Sequence, residues 1–98
     1  MLNINPIQLK TVALTIKGRV QGVGFRYFVM RTALQLGVNG YVMNCADGNV
    51  YVEAEADDSI IVRFIDICST GPSRSDVKDV VIRELEPKKY ADFNIRGF

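Results

Sequence analysis

The sequence predicts an α+β fold, a ferredoxin-like split β-α-β sandwich in which an antiparallel sheet carries two helices on one face. Two helix-like stretches and four extended ones follow the order β-α-β-β-α-β, and a short C-terminal strand comes last. A helix between the first two strands implies a crossover between parallel strands. The next strand returns through a hairpin and most simply fills the gap between them.

The first half of the chain supplies one strand and one helix. Apolar and polar residues alternate over residues 10–17, which predicts the first strand. Residues 25–36 carry an apolar stripe at helical spacing, which predicts a helix that packs on the core. Gly37 then ends this helix as a left-handed cap.

The middle of the chain predicts a hairpin. Residues 38–44 and 49–56 are strand-like, and residues 45–48, with the sequence CADG, form the turn between them. In the second of these strands the inward positions are apolar and the outward ones polar, with Glu55 among the outward residues.

The last third of the chain predicts one helix and two strands. Either Asp57 or Asp58 is a suitable N-cap for the second helix, and a Gly-Pro pair at residues 71–72 ends it. Residues 77–86 predict a fourth strand and residues 93–95 a short last one, with a loop between them.

The composition is that of a globular domain. The chain has 98 residues, 48% hydrophobic and 23% charged, with a formal net charge of +1. This size predicts a single domain over residues 1–98, with residues 1–9 as a loose lead-in. No apolar run could span a membrane and no secretory pattern opens the chain, so we expect a cytoplasmic protein with no membrane partner. The balanced charge offers no basic stripe to a nucleic acid.

Histidine is absent from the chain. Its absence excludes Ser-His-Asp and Cys-His catalytic arrangements and removes the commonest zinc ligand. Cys45 and Cys68 lack metal-type spacing, and we interpret them as a turn residue and a buried helix residue, although the sequence leaves open whether they pair. Without histidine, the cysteines therefore give no pattern typical of a zinc site.

Residues 18–26, with the sequence GRVQGVGFR, connect the first strand to the first helix and are the best candidate for a binding site. Three glycines allow a tight turn whose N–H groups lie at the helix N-terminus, where unpaired donors and the helix dipole favour an anion. Arg26 adds a planar cation suited to phosphate or carboxylate oxygens. The spacing matches neither the Walker nor the dinucleotide pattern. A tight turn without a ligand is the alternative.

Asn44 is the second candidate polar group. Because the first two strands are predicted to be parallel, the loop before Arg26 and the end of the second strand lie at the same edge of the sheet. With one strand between them they are about 10 Å apart, twice the spacing of neighbouring strands. An amide donates and accepts hydrogen bonds without ionising, which suits a group that orients a water. Alternatively, Asn44 simply begins the turn.

Two motifs resemble the signatures of the acylphosphatase family. The first is the GRVQGVGFR segment, and the second is GYVMN at residues 40–44 followed by Gly48 and Val50. The resemblance extends over nearly the whole chain. It departs from the family pattern at Ala56, where the family usually has glycine, and at the C-terminal Gly97-Phe98, where an aromatic residue often follows the basic residue directly.

The resemblance implies a small hydrolase that cleaves the carboxyl–phosphate bond of acyl phosphates and needs neither a metal nor a cofactor. Typical substrates of that family are acetyl phosphate, carbamoyl phosphate and 1,3-bisphosphoglycerate. The family's phosphate-binding arginine matches Arg26, and its water-positioning asparagine matches Asn44. The positions that match its phosphate-binding loop are Gln21, Gly22, Val23, Gly24, Phe25 and Arg26. A small-molecule acyl phosphate is thus the expected partner, and the protein is expected to be a monomer.

The sequence leaves three alternatives to a free-standing acylphosphatase. A non-catalytic module that binds phosphate or acyl phosphate would keep the loop but would not need Asn44. An RNA-recognition domain shares the strand order, but residues 49–56 carry only one aromatic residue and two acids. In the third alternative hydrolysis occurs, but the true role is as a part of a larger carbamoyl-transfer system; the length of a single domain argues against it.

Overall fold

The computed structural model describes residues 8–97 and contains five strands and two helices. Their bounds are β1 Leu9–Arg19, α1 Phe25–Leu36, β2 Asn39–Asn44, β3 Val50–Asp57, α2 Asp58–Thr70, β4 Asp76–Leu85 and β5 Phe93–Arg96. Most of the predicted lead-in lies outside the described residues, as does Phe98. Leu9, predicted to be part of that lead-in, instead begins β1 and pairs with Asp57.

The strands form one sheet in the order β4-β1-β3-β2-β5. β3 lies between β1 and β2 and is antiparallel to both, so β1 and β2 run parallel to each other. β4 pairs antiparallel with the outer side of β1. This topology confirms the predicted ferredoxin-like fold, and β5 adds one parallel pairing, with β2, at the opposite edge of the sheet.

Both helices cover the same face of the sheet, as predicted. Strand residues that alternate along β1 and β3 point toward them, and these positions are fully buried. The core includes these strand residues, Val42 of β2 and the inward faces of both helices, among them Val12, Leu14, Ile16, Val50, Val52, Ala54, Val29, Ala33, Ile61, Phe64 and Cys68. Within residues 8–97, neither helix is long and apolar enough to cross a membrane.

The end of β1 differs from the prediction. Gly18 and Arg19 were expected in the glycine-rich loop, but they belong to β1 and pair with Val77 and Asp76. A register shift after Lys17 accompanies this pairing. A Cβ at Gly18 would lie 2.2 Å from the carbonyl oxygen of Asp76, so only glycine fits where the two strands approach. The connection from β1 to α1 therefore spans only residues 20–24.

A buried carboxylate joins the other face of the sheet to the loop before β5. Glu55 is 4% exposed and accepts hydrogen bonds from the Thr11 hydroxyl (2.5 Å) and from the backbone N–H groups of Lys88 (2.7 Å), Lys89 (3.1 Å) and Tyr90 (2.9 Å). Burial alone would raise the pKa of Glu55. These four hydrogen bonds outweigh burial and hold the pKa below its ordinary value of 4.5.

Candidate active site

The connection between β1 and α1 is shaped by two glycines. Gly22 has φ 73° and Gly24 has φ 80°, both in the left-handed region that L side chains rarely adopt. A Cβ at either position would meet no atom within 4 Å. The loop thus needs glycine at these positions for backbone conformation rather than for space, and the resulting turn leads directly into the first residue of α1.

Among residues 8–97, no negatively charged side chain caps the N-terminus of α1. Gly24 is the N-cap residue, no side chain caps the helix, and its first turn contains no acidic residue. The first N–H groups of a helix have no partner within the helix, and they carry the positive end of its dipole. The first turn instead carries the cation Arg26. Positive charge at this end of a helix is unfavourable by itself, so the arrangement suits a bound anion.

The Arg26 guanidinium is available to such an anion. Its side chain is half-buried, and within residues 8–97 no carboxylate lies within 4.0 Å of it. Arginine offers five N–H donors in a fixed fork that matches two phosphate oxygens at once. The backbone amides and this side chain therefore present donors at one end of the same helix.

Asn44 is the last residue of β2 and is held in place by its pairing with Val50 on β3. Strand alternation puts it on the same face as the fully buried Val42, which is the face covered by the helices. Its side chain is half-buried, and it makes no hydrogen bond to any side chain or backbone group of residues 8–97. The amide can therefore bind a ligand or a water.

One cavity brings the loop, Arg26 and Asn44 together. Its volume is about 210 Å³, and its lining consists of Val20, Gly22, Gly24, Phe25, Arg26, Tyr27 and Asn44. A water takes up about 30 Å³ in the liquid, so the cavity has room for a small anion and a water. Arg26 and Asn44, which were predicted from separate parts of the sequence, therefore line the same cavity.

Two of the predicted loop residues do not line this cavity. Val23 packs against the hydrophobic core. The side chain of Gln21 turns toward the hairpin, where its Nε2 donates to the carbonyl oxygens of Cys45 (2.8 Å) and Asn49 (2.9 Å).

The lining also includes two residues outside the predicted set of phosphate-binding positions. Val20 is 1% exposed and, with Phe25, forms an apolar wall. Tyr27 follows Arg26 in the first turn of α1 and is 68% exposed, so its ring lies at the open side of the cavity. The sequence offered one indication that Tyr27 lies at the site, namely its position directly after Arg26 in the first helical turn. A single tyrosine forms no spacing pattern that would predict a binding site.

The thiol nearest the site does not resemble an activated nucleophile. Burial and, to a smaller extent, the charge of Asp47 raise the pKa of Cys45. Cys68 is buried in α2, and burial raises its pKa to about 12. Both are free thiols, which answers whether they pair. Across residues 8–97, no three His, Cys, Asp or Glu side chains are grouped as metal ligands would be.

Comparisons with known proteins show which family this chain resembles in sequence and in fold. The sequence profile of the acylphosphatase family matches residues 12–95. An acylphosphatase of Thermotoga maritima is 44% identical over 90 residues, which are 92% of this chain and 100% of that protein. The crystal structure of acylphosphatase from Bacillus subtilis matches with a TM-score of 0.87 at 33% identity, over 92% of this chain and 100% of that one.

A third similar structure is a much longer protein. Full-length HypF, in its phosphate- and nucleotide-bound form, matches 95% of this chain with a TM-score of 0.84 at 35% identity, but the match is only 12% of HypF. The family profile and the full-length relatives confirm the resemblance that the two sequence motifs carry. The chain belongs to the acylphosphatase family.

Proposed function

We propose that this acylphosphatase holds the phosphoryl group of its substrate with Arg26 and the loop amides, and that Asn44 orients the water that attacks it. Membership of the family makes the protein an enzyme that hydrolyses acyl phosphates. The observation that supports the proposed roles is the single cavity of about 210 Å³ lined by both Arg26 and Asn44. The substrates we propose are those of the family, acetyl phosphate, carbamoyl phosphate and 1,3-bisphosphoglycerate among them.

We assign phosphate binding to Arg26, which carries a permanent positive charge, and to the backbone N–H groups at the N-terminus of α1. The uncapped N-terminus of α1 supplies amides, and Arg26 supplies a two-pronged cation. Phosphoryl transfer has a loose transition state whose charge is spread over the equatorial oxygens, so positioning and charge stabilisation provide most of the catalysis. Arg26 and the loop amides can position the phosphoryl group and stabilise its charge without transferring a proton.

The proposed reaction requires no general acid from the protein. Water attacks phosphorus in line, the bond between phosphorus and the carboxyl oxygen breaks, and the products are a carboxylate and inorganic phosphate. A carboxylate is stable as an anion at neutral pH, so no general acid is required. Among residues 8–97, the lining contains no carboxylate, and because the chain has no histidine it contains no imidazole. We assign the water's proton to a phosphoryl oxygen of the substrate.

A binding module without turnover is the second candidate function. Such a module would use the loop and Arg26 but would gain nothing from an amide placed across the cavity. Asn44 is held on a paired strand, and within residues 8–97 its side chain has no hydrogen-bonding partner. A group held in this way is suited to orienting a water, which favours the enzyme.

Replacing the two residues separately tests this division of labour. Asn44→Ala should lower kcat about 100-fold or more while the inhibition constant of inorganic phosphate changes less than about threefold, because the phosphate donors remain. Arg26→Lys should weaken phosphate binding as well, because a point charge cannot reproduce the fork. Steady-state kinetics with benzoyl phosphate, with inorganic phosphate as competitive inhibitor, measure both quantities.

Two exposed residues provide matched controls. Arg31→Lys changes a cation elsewhere on α1, and Asn94→Ala removes an amide from the edge strand β5, so both should leave kcat and phosphate inhibition unchanged. Equal and mild effects of the Arg26 and Asn44 substitutions on both constants would contradict the proposed roles. The monomeric state stays a prediction, which sedimentation of the full chain would test.

A further inference from the structure

The side chain of Gln21 joins the phosphate loop to the hairpin that carries Asn44. Its Nε2 is 2.8 Å from the carbonyl oxygen of Cys45 and 2.9 Å from that of Asn49, so both amide protons are used. The two accepting residues lie 24 and 28 positions further along the chain. Because both partners are acceptors, the nitrogen of the amide must face them.

The carbonyl groups that Gln21 binds belong to a turn that is already closed. The N–H of Cys45 donates to the carbonyl of Asn49 at 2.9 Å, and the N–H of Gly48 donates to the carbonyl of Cys45 at 3.1 Å. The carboxylate of Asp47 accepts a further bond from the N–H of Asn49 at 3.0 Å. Gln21 is therefore attached to a rigid turn, one peptide unit after Asn44.

Within residues 8–97, no hydrogen bond closes the phosphate loop, residues 20–24, on itself. Gly22 and Gly24 are exposed and have the conformational freedom of glycine. Within the part of the chain that the structure describes, the two bonds from Gln21 are the only hydrogen bonds that a side chain makes between this loop and the hairpin. They connect the element that holds the phosphoryl group with the element that carries Asn44.

We infer that Gln21 is a positioning residue that sets the separation between the bound phosphoryl group and the amide of Asn44. The inference rests on the proposed function, since it acts through Asn44. Gln21 is not assigned as a phosphate ligand through its side chain, because both protons are used and the remaining oxygen is only an acceptor. Small changes in the relative position of a reacting pair can cost up to about a hundredfold in rate.

The test replaces Gln21 by methionine, which has a similar length but no donor. Gln21→Met should lower kcat for benzoyl phosphate about tenfold while the inhibition constant of inorganic phosphate stays within about twofold. The same substitution is then made in the Asn44→Ala protein, where it should lower kcat less than about twofold, because the amide that it positions is absent. Gln35→Met, an exposed glutamine on α1, is the control and should change nothing.

The outcomes separate a positioning role from a structural one. If Gln21→Met lowers kcat by the same factor with and without Asn44, or weakens phosphate binding as much as it lowers kcat, the inference is wrong. Should this variant fail to fold, Gln21→Asn keeps the amide but is too short to reach both carbonyls, and the same pattern is expected. Turnover of the parent protein is measured before any Gln21 variant is made. A parent protein without turnover would overturn the proposed function itself.

Discussion

The buried carboxylate of Glu55 offers a quantitative test of how the fold is held together. It is 4% exposed and is the acceptor of four hydrogen bonds, three of them from consecutive N–H groups of residues 88–90. The middle residue, Lys89, has φ 54°, in the left-handed region that non-glycine residues rarely adopt. By accepting these bonds, the carboxylate holds the loop before β5 in this turn.

Replacing Glu55 by glutamine keeps the shape but removes the charge and one acceptor. Oε2 accepts three of the bonds and Oε1 accepts the bond from Tyr90. If the amide oxygen takes the position of Oε2, the amide nitrogen faces the N–H of Tyr90, and that bond is lost. A hydrogen bond to a charged group contributes about 1.5–3 kcal/mol, and the other three become weaker. We expect Glu55→Gln to lower the free energy of unfolding by about 3 kcal/mol.

Urea unfolding at several pH values measures this difference. Because the pKa of Glu55 is lower in the folded protein than its ordinary 4.5, its contribution is fully present at neutral pH and is lost as the pH falls through the folded value. The difference between parent and Glu55→Gln should therefore be largest at neutral pH and shrink in acid. Glu84→Gln is the matched control, since its side chain is 68% exposed and its solvent-screened ion pair with Lys10 contributes little to stability.

Two results would refute this reasoning about Glu55. A loss of less than about 1 kcal/mol at neutral pH would mean that the four hydrogen bonds do not stabilise the loop. A difference that stays constant from neutral pH into acid would mean that the charge is not what matters. Whatever its stability, the folded Glu55→Gln protein should have the kcat of the parent, because Glu55 does not line the candidate active site.

The remaining predictions concern the phosphate loop and the cysteines. Gly24→Ala should cost about 1–2 kcal/mol of stability and weaken inhibition by inorganic phosphate several-fold, because φ 80° is strained for alanine although its Cβ would have space; unfolding and inhibition measurements check both. In the native protein, a thiol reagent should modify Cys45, which is half-buried, but not Cys68, which is fully buried, and unfolding should expose the second thiol. Mass spectrometry identifies the modified residue.

Local patterns in the sequence were sufficient for most of the fold. Alternation over residues 10–17 and 49–56, and helical spacing over residues 25–36, predicted elements that the structure contains. The crossover rule for parallel strands then placed Arg26 and Asn44 at one edge of the sheet, and one cavity does contain both. Each of these steps uses either short-range periodicity or a general rule of topology.

The features that could not be predicted depend on residues far apart in the chain. Gly18 looks like part of a loop, but pairing with β4 draws it into β1. Glu55 was predicted on the outward face of its strand, and it is buried there because a loop more than 30 residues later covers it. Gln21 was grouped with the phosphate loop, while its side chain binds carbonyl groups of the hairpin. Alternation along a strand carries no information about such partners.

The most direct test of the central claim is the hydrolysis of benzoyl phosphate in water labelled with heavy oxygen, with a chelator present. The parent protein should release labelled inorganic phosphate and unlabelled benzoate, because water attacks phosphorus rather than carbon. Asn44→Ala should do the same about 100-fold more slowly or worse. Label in the benzoate, or an Asn44→Ala protein as fast as the parent, would contradict the claim that Asn44 directs water to the phosphoryl group.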